Sequence, residues 1–417
     1  MSKYELLQKD GYMAGKKYLY TERAHYMCPN MHFGILADID TEFNNKGIIE
    51  SIGALKMAHP LLRSLIAEEK GSSRIFYEER QGLDIPVMIK EKGDDWQKDY
   101  DAVSKAGWNV QKEALIKVFA YPTEIGTRIL FITHHLLCDG RGLLQLVQEF
   151  ADHYAEGKEP PVAKEMLMES IDDLPKGSNL PFISKIIIKD ANKRWKREGH
   201  KVSYEEYAEF EREFDSKQNT VRKIHCVDKE ELNKLIATCK ELGVSLNDYL
   251  IAKMMLEEDA DKVVIASDIR NKIRNYNKGA LGNYATAFGV KIKKRTTKIM
   301  ELAKSVDYEV KKVINTPQKL MLVLACYFNM DPELLDAVAI STLGSFKSNS
   351  GRFVGSKMFG YEKRDGYCIT NLGKIESSVI KEAVFIPPAS PANRKAWGIL
   401  TVNTSMRICS LDSCENT

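Results

Sequence analysis

The segment ILFITHHLLCDGRG, residues 129–142, carries the strongest structural and chemical signal of the chain. Its apolar run predicts a buried strand that ends at two adjacent histidines, His134 and His135. Asp139 and Gly140 follow after three further residues, where the chain is predicted to turn into a helix. Because successive side chains of a strand point to opposite faces, we expect the two histidines to have different surroundings and different roles.

A histidine at the end of a buried strand is suited to general-base catalysis, since its ordinary pKa of about 6.5 lets it exchange a proton at neutral pH. For His134 we favour a packed, hydrogen-bonded structural role. Cys138 is interpreted as an unreactive core thiol, because no local signature of a nucleophile surrounds it. Asp139 either caps the following helix or pairs with a cation, and Gly140 permits a tight or left-handed backbone at the turn.

The residues around this segment predict a mixture of strands and helices. In the first half we expect strands at 31–39 and 114–120, a helix at 46–57, a hairpin from 61–67 and 74–79, and a helix from Gly140 to Gly157. In the second half we expect helices at 229–242, 245–255 and 300–314, and strands at 262–268, 284–292, 367–370 and 398–409. Ser245 and Asp248 have the spacing of a capping box.

The length of 417 residues indicates two domains rather than one. A polar stretch separates the two mixed halves: residues 185–201 hold seven Lys or Arg, and residues 205–215 hold six acids. We therefore predict an α/β (α+β) protein with an N-terminal domain at 1–157, a crossover linker at 158–219 and a C-terminal domain at 220–417.

Composition and charge exclude several classes of protein. With 44% hydrophobic and 29% charged residues the chain is folded rather than disordered, and a net charge of +3 argues against nucleic-acid binding. The longest apolar run, 320–330, is about half the ~20 residues of a membrane-spanning helix, and no signal-peptide pattern is present. We expect a cytoplasmic protein without a transmembrane segment. The eight cysteines show no zinc-binding spacing, so no metal site is expected.

The pattern of His134, His135, Asp139 and Gly140 resembles the HHxxxDG motif of the CoA-dependent acyltransferase superfamily. This superfamily includes chloramphenicol acetyltransferase, the condensation domains of peptide synthetases, alcohol and wax-ester acyltransferases and the plant BAHD enzymes. Further similar segments keep the family order: AHPLLRSLI at 58–66, VSLNDYLIA at 244–252, SDIRN at 267–271, GALGNY at 279–284 and ITNLG at 369–373. The resemblance therefore extends over most of the chain.

The resemblance implies two chloramphenicol-acetyltransferase-like domains, each a mixed sheet with helices, that form a V-shaped pseudo-dimer with a tunnel at their junction. His135 would be the catalytic base, which deprotonates a hydroxyl or amine for direct attack on a thioester without an acyl-enzyme. Asp139 would be structural and paired with an arginine, for which Arg270 is the best match and Arg63 the alternative. His134 and Gly140 would be structural residues beside the site.

The same resemblance implies substrates and partners. Asn283 and Asn371 would bind substrate. The co-substrate would be a thioester of coenzyme A or of phosphopantetheine, so no bound cofactor is expected, and the partners would be acyl-CoA or an acyl carrier protein and a small alcohol or amine acceptor. Either donor needs local positive charge, which the cluster containing Lys293 and Arg295 or the basic run at 185–201 offers.

The sequence also departs from the family pattern. No S-x-A-Q-x-R-x-W segment of condensation domains lies between Met1 and His32, Gly142 replaces a common serine, and the late D-F-G-W-G of the plant enzymes is absent. These departures favour a freestanding enzyme of the alcohol-acetyltransferase kind. The alternatives are a freestanding condensation-type domain, a catalytically silent homologue that binds a carrier protein, and a thioester hydrolase that uses Cys138 with His135.

Overall fold

The computed structural model describes residues 16–274, 276–293 and 296–415. The strands of these residues are β1 Lys17–Tyr18, β2 His32–Ile39, β3 Ser64–Glu68, β4 Ile75–Glu79, β5 Val87–Ile89, β6 Ile116–Pro122, β7 Thr127–His134, β8 Gln218–Val227, β9 Lys262–Asp268, β10 Ala285–Lys291, β11 Gly366–Ile375, β12 Ile380–Ile386, β13 Asn393–Val402 and β14 Ser405–Glu415. The helices are α1 Asn45–Ala58, α2 Trp96–Ala106, α3 Gly140–Glu156, α4 Phe182–Glu198, α5 Tyr204–Lys217, α6 Lys229–Leu242, α7 Leu246–Glu257, α8 Ile299–Ile314, α9 Pro317–Leu320, α10 Leu322–Asn329, α11 Pro332–Leu343 and α12 Asn349–Val354. Short 3₁₀ turns lie at Glu22–His25, Pro60–Arg63 and Ile171–Asp173.

Two mixed sheets and one small antiparallel sheet organise the chain. The five-stranded sheet has the order β12-β2-β7-β6-β5, in which only β5 and β6 are parallel among the described strands. The six-stranded sheet has the order β10-β9-β11-β13-β14-β8, with β11 parallel to both of its neighbours. The five-stranded sheet packs in one apolar core, and the six-stranded sheet contributes residues both to that core, such as Leu400, and to a second core, such as Ile399. The predicted α/β class with mixed sheets is confirmed.

The two halves of the chain share a sheet. Strand β12, which comes late in the sequence, pairs antiparallel with β2 and so becomes the edge of the five-stranded sheet, with Ile386 opposite Gly34. A side chain at Gly34 would place its Cβ 2.9 Å from the carbonyl oxygen of Phe131 on β7, so the backbone packing here requires glycine. The domain bounds 1–157, 158–219 and 220–417 stay a prediction.

Local sequence signals account for the helix that follows the central strand. Asp139 is the N-cap of α3 and accepts a hydrogen bond from the Gly142 amide, while Gly157 ends the helix in a left-handed conformation with φ of 66°. The capping box of Ser245 and Asp248 opens α7 as predicted.

Two parts of the chain differ from expectation. The single strand predicted at 398–409 is wrong, because the chain reverses at Asn403, whose φ is 54°, and forms the hairpin of β13 and β14. The polar stretch at 158–219 contains the two long helices α4 and α5. Within the described residues, no helix combines the length and the apolar character needed to cross a membrane.

Candidate active site

The end of β7 places the two histidines in different surroundings. His134 is buried, its Nδ1 accepts a hydrogen bond from the Leu136 amide at 3.2 Å, and the edge of the Trp108 ring packs against it. Burial, followed by the neighbouring His32 and His135, holds the pKa of His134 well below its ordinary value. These contacts match the structural interpretation of His134.

His135 exchanges two hydrogen bonds with Asn283. The Asn283 Nδ2 donates to the backbone carbonyl of His135 at 2.8 Å, which directs the Oδ1 of the same amide toward the His135 Nδ1 at 2.9 Å. Since Oδ1 can only accept, Nδ1 carries the proton, and the neutral imidazole has its lone pair on Nε2. The arrangement leaves Nε2 as the nitrogen that can take up a proton.

The ring of His135 is held between aromatic neighbours. The imidazole of His25 stacks on it with centroids 4.2 Å apart and planes inclined by 15°, and Phe33 contacts it edge-on at 4.9 Å. Burial lowers the pKa of His135, although Asp139 and the hydrogen bond from Nδ1 to Asn283 act in the opposite direction. The imidazole is therefore neutral at neutral pH, and its Nε2 can accept a proton.

Asp139 is fully engaged in structural bonds. Both of its carboxylate oxygens accept from Arg270, at 2.8 and 2.9 Å, and its Oδ2 also accepts from the Tyr284 amide at 2.7 Å. Arg63 has a different partner, because its Nε donates to Glu79 at 2.6 Å. Of the two arginines named from the sequence, Arg270 is thus the partner of Asp139.

Close packing explains the two glycines after Asp139. A Cβ on Gly140 would lie 2.7 Å from the Leu372 side chain, and a Cβ on Gly142 would lie 2.7 Å from the Cβ of Cys138. Of the tight or left-handed backbone that Gly140 permits, the left-handed form is not adopted, because this residue is the first of α3 and its φ is not positive. Glycine is needed here for space.

Cys138 is not placed to act as a nucleophile. Its side chain is completely buried, and burial raises the pKa of its thiol well above the ordinary value. All eight cysteines are free, and no group of three metal-ligating side chains occurs in the part of the chain that the structure describes.

Of the remaining residues named from the sequence, Asn371 and Lys293 form no hydrogen bond with His135. Asn371 is bonded to the Gly373 amide at 2.8 Å and to Asn247 at 3.4 Å, with no bond to His135. Lys293 is exposed and follows β10, whose first residue Ala285 is near Asn283. The length of β10 alone separates them by about 20 Å. Arg295 lies outside the described residues.

His25 contacts the ring of His135, and no sequence pattern predicts this contact. It sits on an isolated 3₁₀ turn, in a region that matches no family segment, and no periodic pattern distinguishes it. The sequence resemblance points to Asn283 as a substrate contact and not as a partner of His135. The pairing of these two residues could not be predicted, because they are 148 positions apart in the chain.

The fold is that of known condensation domains and an acetyltransferase. The trichothecene 15-O-acetyltransferase from Fusarium sporotrichioides has a TM-score of 0.62 at 10% identity, covering 96% of this chain and 91% of that chain. The first condensation domain of the CDA synthetase has a TM-score of 0.58 at 10% identity, covering 96% and 91%. The polyketide synthase associated protein 5 from Mycobacterium tuberculosis has a TM-score of 0.56 at 14% identity, covering 95% and 92%.

These similarities confirm the chloramphenicol-acetyltransferase-like two-domain fold that the sequence resemblance implies. No protein-family model and no curated protein matches the sequence. At 10 to 14% identity these comparisons show the fold alone, and the reaction has to be inferred from the residues of the site.

Proposed function

We propose that this protein is an acyltransferase that moves an acyl group from a thioester to an alcohol or amine. The observation that carries the proposal is the pair of hydrogen bonds between His135 and Asn283, which leaves an unprotonated Nε2 on a neutral imidazole. A general base needs that protonation state at neutral pH. The position of His135 after β7 and before the Asp139 turn is the position that the HHxxxDG resemblance assigns to the base.

The reaction follows from this geometry. The Nε2 of His135 takes the proton of the acceptor hydroxyl or amine, and the acceptor oxygen or nitrogen attacks the thioester carbonyl. The carbon–sulfur bond then breaks, and the leaving thiolate takes the proton back from Nε2. No bond forms between the acyl group and the protein, so Cys138 has no role in the chemistry.

The donor is a thioester of coenzyme A or of a carrier protein. Both present the same reactive group, and condensation domains are among the proteins that share this fold. We propose Asn371 as a substrate contact, because it lies in the ITNLG segment that resembles the family, and Lys293 as a donor contact, because it is an exposed cation just after β10. We place the protein in the cytoplasm.

Two alternatives make different predictions. A catalytically silent homologue would bind a carrier protein and transfer nothing. A thioester hydrolase using Cys138 would release the acid, but the complete burial of Cys138 and the raised pKa of its thiol disfavour a thiolate nucleophile.

A substrate screen separates these possibilities. Acyl-CoAs of short, medium and long chain are incubated with panels of alcohols and amines, free thiol is measured, and acylated acceptor is identified by mass spectrometry. We expect thiol release that depends on the acceptor and equals the product formed. Release without an acceptor, lost in Cys138→Ala, would indicate the hydrolase. Carrier-protein binding without thiol release from any donor would indicate the silent homologue.

A further inference from the structure

A buried polar cluster without partners lies close to the candidate base. The Thr21 hydroxyl and both carboxylate oxygens of Glu22 are buried, and none has a hydrogen bond of good geometry among the described residues, although the Thr21 hydroxyl and the backbone of Tyr20 and Glu22 lie close to the carboxyl. The two residues are only 3% and 1% exposed. Buried polar atoms in folded proteins are nearly always paired, so an unpaired carboxyl in the interior calls for a ligand.

The 3₁₀ turn at Glu22–His25 relates this cluster to His135. Side chains three residues apart on a 3₁₀ turn project from the same side, and one turn rises by about 6 Å. Glu22 and His25 are three residues apart, and the imidazole of His25 stacks directly on His135. The Glu22 carboxyl is therefore about one helical turn from the ring that touches the base.

Electrostatic interactions relate Glu22 to the turn from 135 to 139. Its charge acts on the phenols of Tyr77 and Tyr284. The Tyr77 hydroxyl donates to the carbonyl of Leu136, the residue after the base, and the Tyr284 amide donates to Asp139. Glu22 thus lies within electrostatic range of two residues that fix the turn from 135 to 139.

Among the described residues, no cation forms an ion pair with the Glu22 carboxyl. Arg23, its neighbour in sequence, donates to Asp336 through both Nε and a terminal nitrogen, and Arg270 is held by Asp139. Burial raises the pKa of Glu22 to about 7, although nearby backbone groups and the Thr21 hydroxyl lower it in part. A cationic ligand would favour the ionised carboxylate.

We propose that the Glu22 carboxylate and the Thr21 hydroxyl form a subsite for a protonated amine of the acceptor substrate. The proposal rests on the acyl transfer proposed above and narrows its acceptor class. The acceptor carries an ammonium group that binds Glu22 and a hydroxyl or second amine that reaches His135. The two groups are roughly 10 Å apart, because one 3₁₀ turn rises by about 6 Å and the stacked rings of His25 and His135 are 4.2 Å apart. The transferred proton leaves from that second group, and the ammonium only positions the molecule.

The test compares 6-amino-1-hexanol with 1-heptanol, which has the same length but lacks the charge. Binding is measured by calorimetry without any donor, so it does not depend on turnover. We expect the amino alcohol to bind wild type about tenfold or more tightly than the alkanol, because a charge-assisted hydrogen bond forms. This preference should increase as pH rises through about 7, since Glu22 then becomes ionised.

Two variants test whether Glu22 causes the preference for the amino alcohol. Glu22→Gln should abolish both the preference and its pH dependence, and its melting temperature should rise because an unpaired buried charge is removed. Glu211→Gln is the matched control, since Glu211 is also buried with a pKa raised to about 7 but accepts a hydrogen bond from Tyr207. It should keep the preference of wild type. Should Glu22→Gln not fold, the pH dependence of wild type and the variant Thr21→Val provide the same test.

The outcomes separate the two proposals. Preferential binding of the amine that depends on Glu22, without acyl transfer to any acceptor, supports the subsite and overturns the proposed function. Acyl transfer to alkanols and amino alcohols alike, unaffected by Glu22→Gln, supports the function and overturns the subsite. Equal binding of the two probes by wild type also overturns the subsite.

Discussion

At the scale of single residues, the side-chain amide of Asn283 determines which nitrogen of the His135 imidazole carries the proton. Asn283 bonds both the ring nitrogen and the backbone carbonyl of His135, so the ring and its tautomer are set together. The sequence could identify His135, because the spacing of its motif is local. It could not identify the part played by Asn283 or His25, because these residues reach His135 through the tertiary fold.

This pairing predicts a pH dependence for Asn283 variants. Because burial lowers the pKa of His135, the acidic limb of the kcat profile in wild type should lie below pH ~6.5. Asn283→Asp places a carboxylate beside the Nδ1 proton, raises the pKa of His135 and should move that limb to higher pH. Asn283→Leu should lower kcat by up to the ~10²- to 10⁴-fold that a general base contributes, with little change in KM.

Asn371 supplies the control for this measurement. Asn371→Leu removes an amide of the same size that has no bond to His135, so the acidic limb should stay in place. Identical pH profiles for wild type and Asn283→Asp would contradict the assigned role of Asn283.

At the scale of elements, the Asp139 carboxylate joins a helix to a distant loop. It caps α3 and binds Arg270 and the Tyr284 amide, which belong to the segment between β9 and β10. Strand β7 and helix α3 could be predicted from local periodicity and the stop at Gly157. Helix α5 also carried a local signal, because Ser203 and Glu206 form a capping box and Tyr204, Tyr207 and Phe214 share its buried face. Helix α4 did not, because the apolar residues at its start, such as Phe182 and Ile183, are exposed and only Ile188, Ala191 and Trp195 are buried.

A double-mutant cycle tests the connection between these elements. Arg270 is 12% and Asp139 3% exposed at the side chain, so removing one partner leaves a largely buried charge. Asp139→Asn or Arg270→Met should each lower the free energy of unfolding by roughly 3 to 5 kcal/mol. Because both changes break the same ion pair, the double variant should cost clearly less than the sum.

Arg63→Met serves as the reference for that cycle. Arg63 pairs with Glu79, so its effect should add to that of Asp139→Asn when unfolding is measured in urea. Additive effects for Asp139 with Arg270, or coupling of Asp139 with Arg63, would show that the ion pairs are misassigned.

At the scale of the whole molecule, the site is built by both halves of the chain. His135 and Asp139 come from the turn between β7 and α3, whereas Asn283 and Arg270 come from the segment between β9 and β10. Strand β12 binds the halves further by completing the first sheet. Local sequence patterns predict the mixed class, but the pairing of β12 with β2 depends on a contact across more than 340 positions and has no local signal.

The donor surface is a prediction at this scale. If Lys293 contacts the anionic donor, Lys293→Glu should raise the donor KM severalfold without a similar loss of kcat, and added salt should raise the KM of wild type. Lys223→Glu is the control, because Lys223 is an exposed lysine on β8 at the opposite edge of the same sheet. A donor KM unchanged by Lys293→Glu and by salt would exclude Lys293 as a docking residue.

The central claim is that the Nε2 of His135 is the base for acyl transfer. The most direct measurement is the single-turnover rate of acylated acceptor formation by His135→Ala, beside Cys138→Ala, with the fold of each variant checked by melting. We predict a loss of about 10²- to 10⁴-fold for His135→Ala and a rate near that of wild type for Cys138→Ala. A folded His135→Ala protein that transfers the acyl group at the wild-type rate would contradict the account.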